Sequence, residues 1–297
     1  MKKMILFAAA LAAVALTSCN NDNEQAQSQT KPEYITVSTS IDNLTRVSTT
    51  GNASRFDEGD KISVYAWTGT ADEVASAALV VNNSVNELKG GKWLPTPLMK
   101  WVDMATPHFF LSLYPARNVA DFKADPVKVD PAKQMESDLL VAVNTGQSKA
   151  GLKATDNPVQ LRFDHMMSKL VLELTYRNEF DGTPAVASVS TEAKNEGTID
   201  YLKGVITLGG TAETFGLQAQ KANEVYASVI MPQEVQKFTI AIDGKNYVYT
   251  HPAPLALVKG KKQTVKLIVG RNRIELDQVV INDWGAAEDI TGGEAVD

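Results

Sequence analysis

From Tyr34 onwards apolar and polar residues alternate, with Ile35, Val37, Thr39 and Ile41 on one side of an extended chain and Thr36, Ser38 and Ser40 between them. Successive side chains of a strand point to opposite faces, so this spacing predicts a half-buried β-strand. Short runs of the same kind recur at 61–67, 109–114, 139–143, 169–176, 204–208, 224–230, 237–242, 246–250 and 263–269, rich in Val, Ile, Thr and aromatic residues. Turn residues separate many of them, as in Asp243-Gly244-Lys245 and Val258-Lys259-Gly260-Lys261. Strands this short and closely spaced predict an all-β protein of antiparallel sandwiches rather than βαβ units. Short helices are predicted at 72–80 and 131–135.

The first residues follow a different rule. Lys2 and Lys3 precede an apolar run from Met4 to Leu16 that is too short to span a bilayer, and Leu16-Thr17-Ser18-Cys19 follows at once. Residues 1–18 therefore read as a secretory signal peptide. Residues 19–33 are polar and lack aromatics, which predicts a flexible tether. Between Thr145 and Pro158, small and polar residues such as Gly146, Gly151, Asp156 and Asn157 interrupt the strand signals. A boundary at 157 follows, with one β domain at 34–157 and a second at 158–297.

Composition narrows the function. The 297 residues less the signal suffice for two domains that each bury a core. The formal charge is −6, the signal removes two lysines and no acid, and no basic block occurs anywhere. A nucleic-acid partner, which needs phosphate neutralisation, is not expected. The chain has one cysteine, which excludes an intramolecular disulfide framework and a cysteine-rich metal site. No later apolar run approaches membrane-spanning length, so attachment to a membrane would come through lipid.

Catalytic candidates are sparse. His108, His165 and His251 have no His or Cys neighbour at metal-ligand spacing, and no nucleophile elbow, P-loop or dinucleotide fingerprint is present. Ser148-Lys149 and Ser168-Lys169 lack the context of a Ser/Lys hydrolase. No catalytic residue, metal or cofactor is expected. Asp57, Glu58 and Asp60 around Gly59 raise calcium, but the twelve-position loop spacing is absent and a tight turn fits the residues better. Trp67, Trp93, Trp101 and Trp284 suit either core burial or a platform for stacking sugars.

Leu16 to Cys19 resembles the lipobox of bacterial lipoproteins, the alternative being ordinary signal cleavage beside an incidental thiol. Further along stand Leu44-Thr45-Arg46, the run 56–65 (FDEGDKISVY), Asp138-Leu139-Leu140-Val141-Ala142, the run 161–170 (LRFDHMMSKL), Gly260-Lys261 and Ile281-Asn282-Asp283-Trp284. Together and in this order, they resemble the fimbrillin family, the lipoprotein precursors of type V pilins of Bacteroidales. The resemblance implies two transthyretin-like β-sandwich domains in tandem and a diacylglyceride on Cys19 that holds the protein at the outer membrane, with the fimbrium as destination if it polymerises.

It also implies that an Arg-specific protease removes the first strand and that a strand from another pilin subunit fills the groove. The matching bond is Arg46-Val47, with Arg55 as runner-up, unless Arg46 merely ends a strand. Ile274, Leu276, Val279 and Ile281 belong to the donor-strand candidate, although the glycine-containing, acidic sequence after Trp284 departs from a long inserting strand. A structural or adhesive pilus subunit, binding a host or bacterial surface ligand, is the expected function. A surface lipoprotein that binds glycans through exposed Trp93 or Trp101 is the second reading.

Overall fold

Strands lie where alternation or continuous apolar runs place them, and where neither pattern exists they follow from pairing. The computed structural model describes residues 33–41, 56–74, 78–143 and 150–284. Cys19, Arg46, Val47, Arg55 and Ser148-Lys149 lie outside them.

In chain order, the first strands are β1 (Val37–Ile41), β2 (Lys61–Thr68), β3 (Leu79–Lys89), β4 (Lys92–Thr96), β5 (His108–Tyr114) and β6 (Asp125–Lys128). A one-turn helix α1 (Gln134–Ser137) precedes β7 (Leu140–Val143), β8 (Val159–His165) and β9 (Ser168–Tyr176). Then come β10 (Val186–Ala193), β11 (Glu196–Asp200), β12 (Val205–Leu208), β13 (Glu213–Lys221) and β14 (Val225–Ile230). The last four are β15 (Glu234–Ile242), β16 (Lys245–Ala256), β17 (Lys261–Val269) and β18 (Ile274–Asp283).

Seven strands form a first sheet in the order β1-β8-β7-β5-β2-β3-β4. Its central strands are buried on both faces: Ile62, Val64 and Ala66 of β2 enter one apolar cluster, while Tyr65 and Trp67 enter the other. Double burial is why these strands read as continuous apolar runs rather than alternation. β8 covers one face alone, with Val159, Leu161 and Phe163 buried and Gln160, Arg162 and Asp164 exposed.

Eight strands form a second sheet, β16-β15-β10-β13-β14-β9-β17-β18. β13 turns its corner, since residues 213–217 pair with β10 and residues 218–221 with β14. A strand shared in this way is how one sheet folds over into the two layers of a sandwich. Leu170, Leu172, Phe238, Ile240, Val265 and Leu267 are essentially inaccessible between them.

Most ladders are antiparallel, as expected, but β1 runs parallel to β8 and β17 parallel to β9. Because β8 joins the first sheet, the passage between sheets falls at Met166-Met167, beyond the 157/158 position that composition favours. A third sheet, β12-β11-β6, draws its strands from both sides of that passage. Asp125 fastens it: the 5 % exposed carboxylate pairs with Arg117 at 2.7 Å and accepts the Tyr201 hydroxyl at 2.6 Å. Burial and the bond to Asp125 push the Tyr201 phenol far above its ordinary pKa.

The predicted helices fare differently. Within 72–80, residues 75–77 lie outside the described part, Ala78 belongs to a 3-10 turn, and Leu79 already begins β3, where Leu79 and Val81 pair with Trp67 and Ala66 of β2. At 131–135 a single turn does form, shifted to Gln134–Ser137.

Candidate functional site

The two outer strands of the first sheet, β1 and β4, lie far apart in its hydrogen-bonding order yet border one groove. The sheet curls until its edges meet at one end, where Ile35 N–H donates to Met99 O at 2.9 Å and Trp101 N–H to Glu33 O at 3.2 Å. Beyond that closure the edges part. The opening has a volume of about 990 Å³ and is lined by residues 34–41 together with Phe56, Leu88, residues 91–95 and Leu98.

β1 is held mainly from one side. Five of its residues pair in parallel with β8, from Val37 opposite Val159 to Ile41 opposite Phe163. Thr36 adds a bond at each backbone group, donating to Asn157 Oδ1 at 2.9 Å and accepting from Val159 N–H at 2.8 Å. Ile35, Val37 and Ile41 are at most 8 % exposed and fill the cluster that contains Ile62, Leu161 and Phe163. The alternation visible in the sequence is therefore the alternation of an inner and an outer face.

The opposite wall is set by a hairpin. Gly90 and Gly91 have φ of 56° and 71°, the two positive values of a type I′ turn, which joins β3 to β4 with two residues. Glu58 clasps that turn, its two carboxylate oxygens accepting Gly90 N–H at 2.8 Å and Gly91 N–H at 2.9 Å. Asp60 closes its own turn by accepting Asp57 N–H at 2.7 Å, and it also accepts the Tyr114 hydroxyl at 3.1 Å. Burial first, and then the charge of Asp60, push the Tyr114 phenol up to about 12. The acidic run thus serves as turn chemistry, and no cluster of three metal-ligating side chains occurs among the described residues.

Phe56 forms the floor, edge-on to Trp93, Tyr114 and Phe163 with ring centres 5.2 to 5.3 Å apart. Leu94 is 48 % exposed, Leu98 63 % and Tyr34 40 %, so the rim is apolar. Apolar side chains gathered beside open strand edges suit an extended polypeptide better than a polar small molecule.

The tryptophans do not make a sugar-stacking face. Trp67, Trp101 and Trp284 are buried, and Trp93 is half-buried with its indole N–H bonded to Thr39 Oγ1. His108 is fully buried, donating from Nδ1 to Thr106 O at 2.8 Å and accepting Val102 N–H at Nε2, the pattern of a neutral ring. His165 pairs through Nδ1 with Asp138 Oδ1 at 2.8 Å, and His251 caps a local turn at Ala253 O. Ser168 is spent on Lys261 O.

The donor-strand candidate is β18, an outer strand of the second sheet. Ile274 and Val279 pack against the core, whereas Leu276 and Ile281 face solvent. The sequence pattern missed β4 and Phe56, although Gly90-Gly91 between two strand-like runs is a hairpin signal that could have revealed the former.

Solved structures share this fold. A proposed cell adhesion protein of Bacteroides uniformis aligns with 17 % identity and a TM-score of 0.65, over 84 % of this chain and 99 % of that one. A second, from Bacteroides ovatus, has 16 % identity and a TM-score of 0.61, over 85 % and 98 %. A fimbrial protein of Bacteroides vulgatus has 14 % identity and a TM-score of 0.51, over 84 % and 99 %. No functionally curated protein matches the chain. The model of the fimbrillin-like family matches residues 45–284, and the chain belongs to that family.

Proposed function

We propose that this chain is a structural, non-catalytic subunit of a pilus that serves adhesion, delivered to the outer membrane by lipid on Cys19, in which β1 is a replaceable strand. Family membership supports the pilus, and the fimbrial and adhesion roles ascribed to proteins of the same fold point the same way. Cleavage at Arg46-Val47 would release β1 together with everything before it. The slot left behind would receive a strand of another subunit by β-augmentation.

The observation that carries this reading is the position of β1. It is short, it occupies an edge, and its buried Val37 and Ile41, together with Ile35 just ahead of it, plug one apolar cluster of the core. Its removal would expose Leu161 and Phe163 and leave the β8 backbone unpaired, so the vacated slot would bind a strand of matching alternation. At roughly 25 cal/mol per Å² of apolar surface covered again, refilling it is strongly favoured.

The test is direct. After treatment with an Arg-specific protease, the protein should retain a labelled peptide of the sequence of residues 33–43 through gel filtration, one per chain. The untreated protein should not. A treated protein, cut after Arg46, that takes up no peptide would end the proposal.

A further inference from the structure

We infer that this subunit accepts a strand but keeps its own last one, and so terminates a polymer; the inference rests on the strand-exchange reading above. Its first and last strands, both at sheet edges, are held very differently. β1 has five residues in a parallel ladder and a groove along its other side. β18 has ten residues, nine of them in register with β17, and β16 lies against it. Ion pairs close both ends of β18: Arg177 and Arg273 meet Glu275 near its start, and Lys261 meets Asp283 near its finish.

The decisive contact comes one residue later. Trp284, 7 % exposed, lies flat on His165 with ring centres 4.2 Å apart and planes inclined by 5°. Its backbone N–H donates to Gly260 O at 3.0 Å, and the imidazole beneath the indole is fixed by Asp138. His165 ends β8, the strand that carries β1, so the indole is seated where the first sheet gives way to the second.

Donation of β18 would require release of the nine-position ladder, exposure of Ile274 and Val279, and withdrawal of Trp284 from its stack. A strand destined for a neighbour gains nothing from such internal fastening, because every self-contact has to be lost before the intermolecular one forms. The sequence after Trp284 begins Gly285-Ala286-Ala287-Glu288-Asp289 and offers poor strand residues as a substitute. The partner that fits is an extended segment of another subunit, entering at β1.

The experiment compares the full chain, processed by an Arg-specific protease, with Trp284→Ala and with the pair Lys266→Cys and Gln278→Cys, which lie opposite each other across the β17–β18 ladder. Hydrogen exchange, the size of the particles and retention of the residue 33–43 peptide are measured. Processed wild type should retain the peptide and stay a single subunit at high concentration. Exchange in β18 of Trp284→Ala should rise at least tenfold while β9 and β14 keep their protection.

Polymer ladders from processed wild type overturn the inference, and their loss on oxidising the cysteine pair identifies β18 as the donor, with strand exchange itself left standing. Unchanged exchange of β18 in Trp284→Ala overturns the role of the stack. The wild-type measurements decide the matter if that variant does not fold. Failure to retain the peptide removes the underlying reading instead, and is seen separately from any ladder.

Discussion

The indole N–H of Trp93 donates to the hydroxyl of Thr39 at 3.1 Å, tying β4 to β1 across the mouth of the groove. This bond lies on the open flank of the strand whose other flank is fully paired. Trp93→Phe keeps the edge-on ring packing against Phe56 and deletes the donor. At about 1 kcal/mol for a hydrogen bond, the amides of β1 should exchange roughly fivefold faster, with β5 unchanged. Hydrogen exchange read by mass spectrometry checks this, and equal rates would show that the bond does not restrain β1.

Ile35 is 1 % exposed and has the deepest position of the apolar side chains that this segment inserts. Ile35→Ala should cost about 2 to 5 kcal/mol of stability in urea unfolding, as buried aliphatic truncations do. Ser40→Ala, on the exposed face of the same strand, should stay within about 0.5 kcal/mol of wild type.

Glu58 acts at a distance from the groove by shaping the turn that carries its far wall. Glu58→Gln keeps one acceptor and should be mild, whereas Glu58→Ala leaves Gly90 and Gly91 to solvent. The alanine variant should lose about 1 kcal/mol and show faster exchange in β4 than in β2. Uniform loss across the sheet would contradict a local clasp.

Asp125 is the buried charge that joins the third sheet to the first. Asp125→Ala strands the Arg117 guanidinium and the Tyr201 hydroxyl and should cost about 3 to 5 kcal/mol, the usual result of removing one member of a buried pair. Tyr201→Phe, which leaves the ion pair intact, should cost about 1 kcal/mol. Comparable losses from the two variants would mean that the ion pair contributes little.

Acid should weaken the loop before β5 in two stages. Burial holds the His108 imidazole below its ordinary value of 6.5, against the opposing pull of Thr106 O and Asp103. The unfolded chain then takes up this proton first, so the contribution of His108 is complete above 6.5 and declines as the pH falls below it. His108→Gln should flatten the difference in urea midpoint between pH 8 and pH 5.

Bonds from the Thr106 hydroxyl and from Thr106 and Ala105 N–H hold the Asp103 carboxyl at about 2, against 3.8 normally. Its share therefore persists to below pH 4 and disappears as the pH falls through about 2. An Asp103→Asn variant should lack that second loss.

Legibility in the sequence followed burial. β1, β2, β5, β9 and β17 stand out because their side chains face one or two apolar clusters, which writes alternation or continuous runs into the chain. β3 carries little strand signal because Asn82, Asn83 and Asn86 dilute its pattern, and it is irregular as well, with Asn83 at φ of 55° and two shifts of register against β2. β10 buries Val189, Thr191 and Ala193, but Ala187, Ser188 and Ser190 beside them leave it little apolar contrast between its faces.

The groove was hidden for a different reason. It exists because β1 and β4, 51 residues apart from the end of one to the start of the other, are outer strands of a curled sheet, and periodicity says nothing about which edges meet. The acidic run at 57–60 declared a turn but gave no hint that Glu58 reaches Gly90 and Gly91. Likewise, Trp284 declared an aromatic residue near the finish of a strand, and its partner His165 could not be read at a separation of more than a hundred positions.

β1 runs in the same direction as its neighbour β8. A pull on the leading end acts along the strand axis and loads the five pairs together, in shear. Peeling them off in sequence would need a pull at right angles. Under the lipid attachment proposed above, this short outer strand would therefore also be oriented to withstand traction.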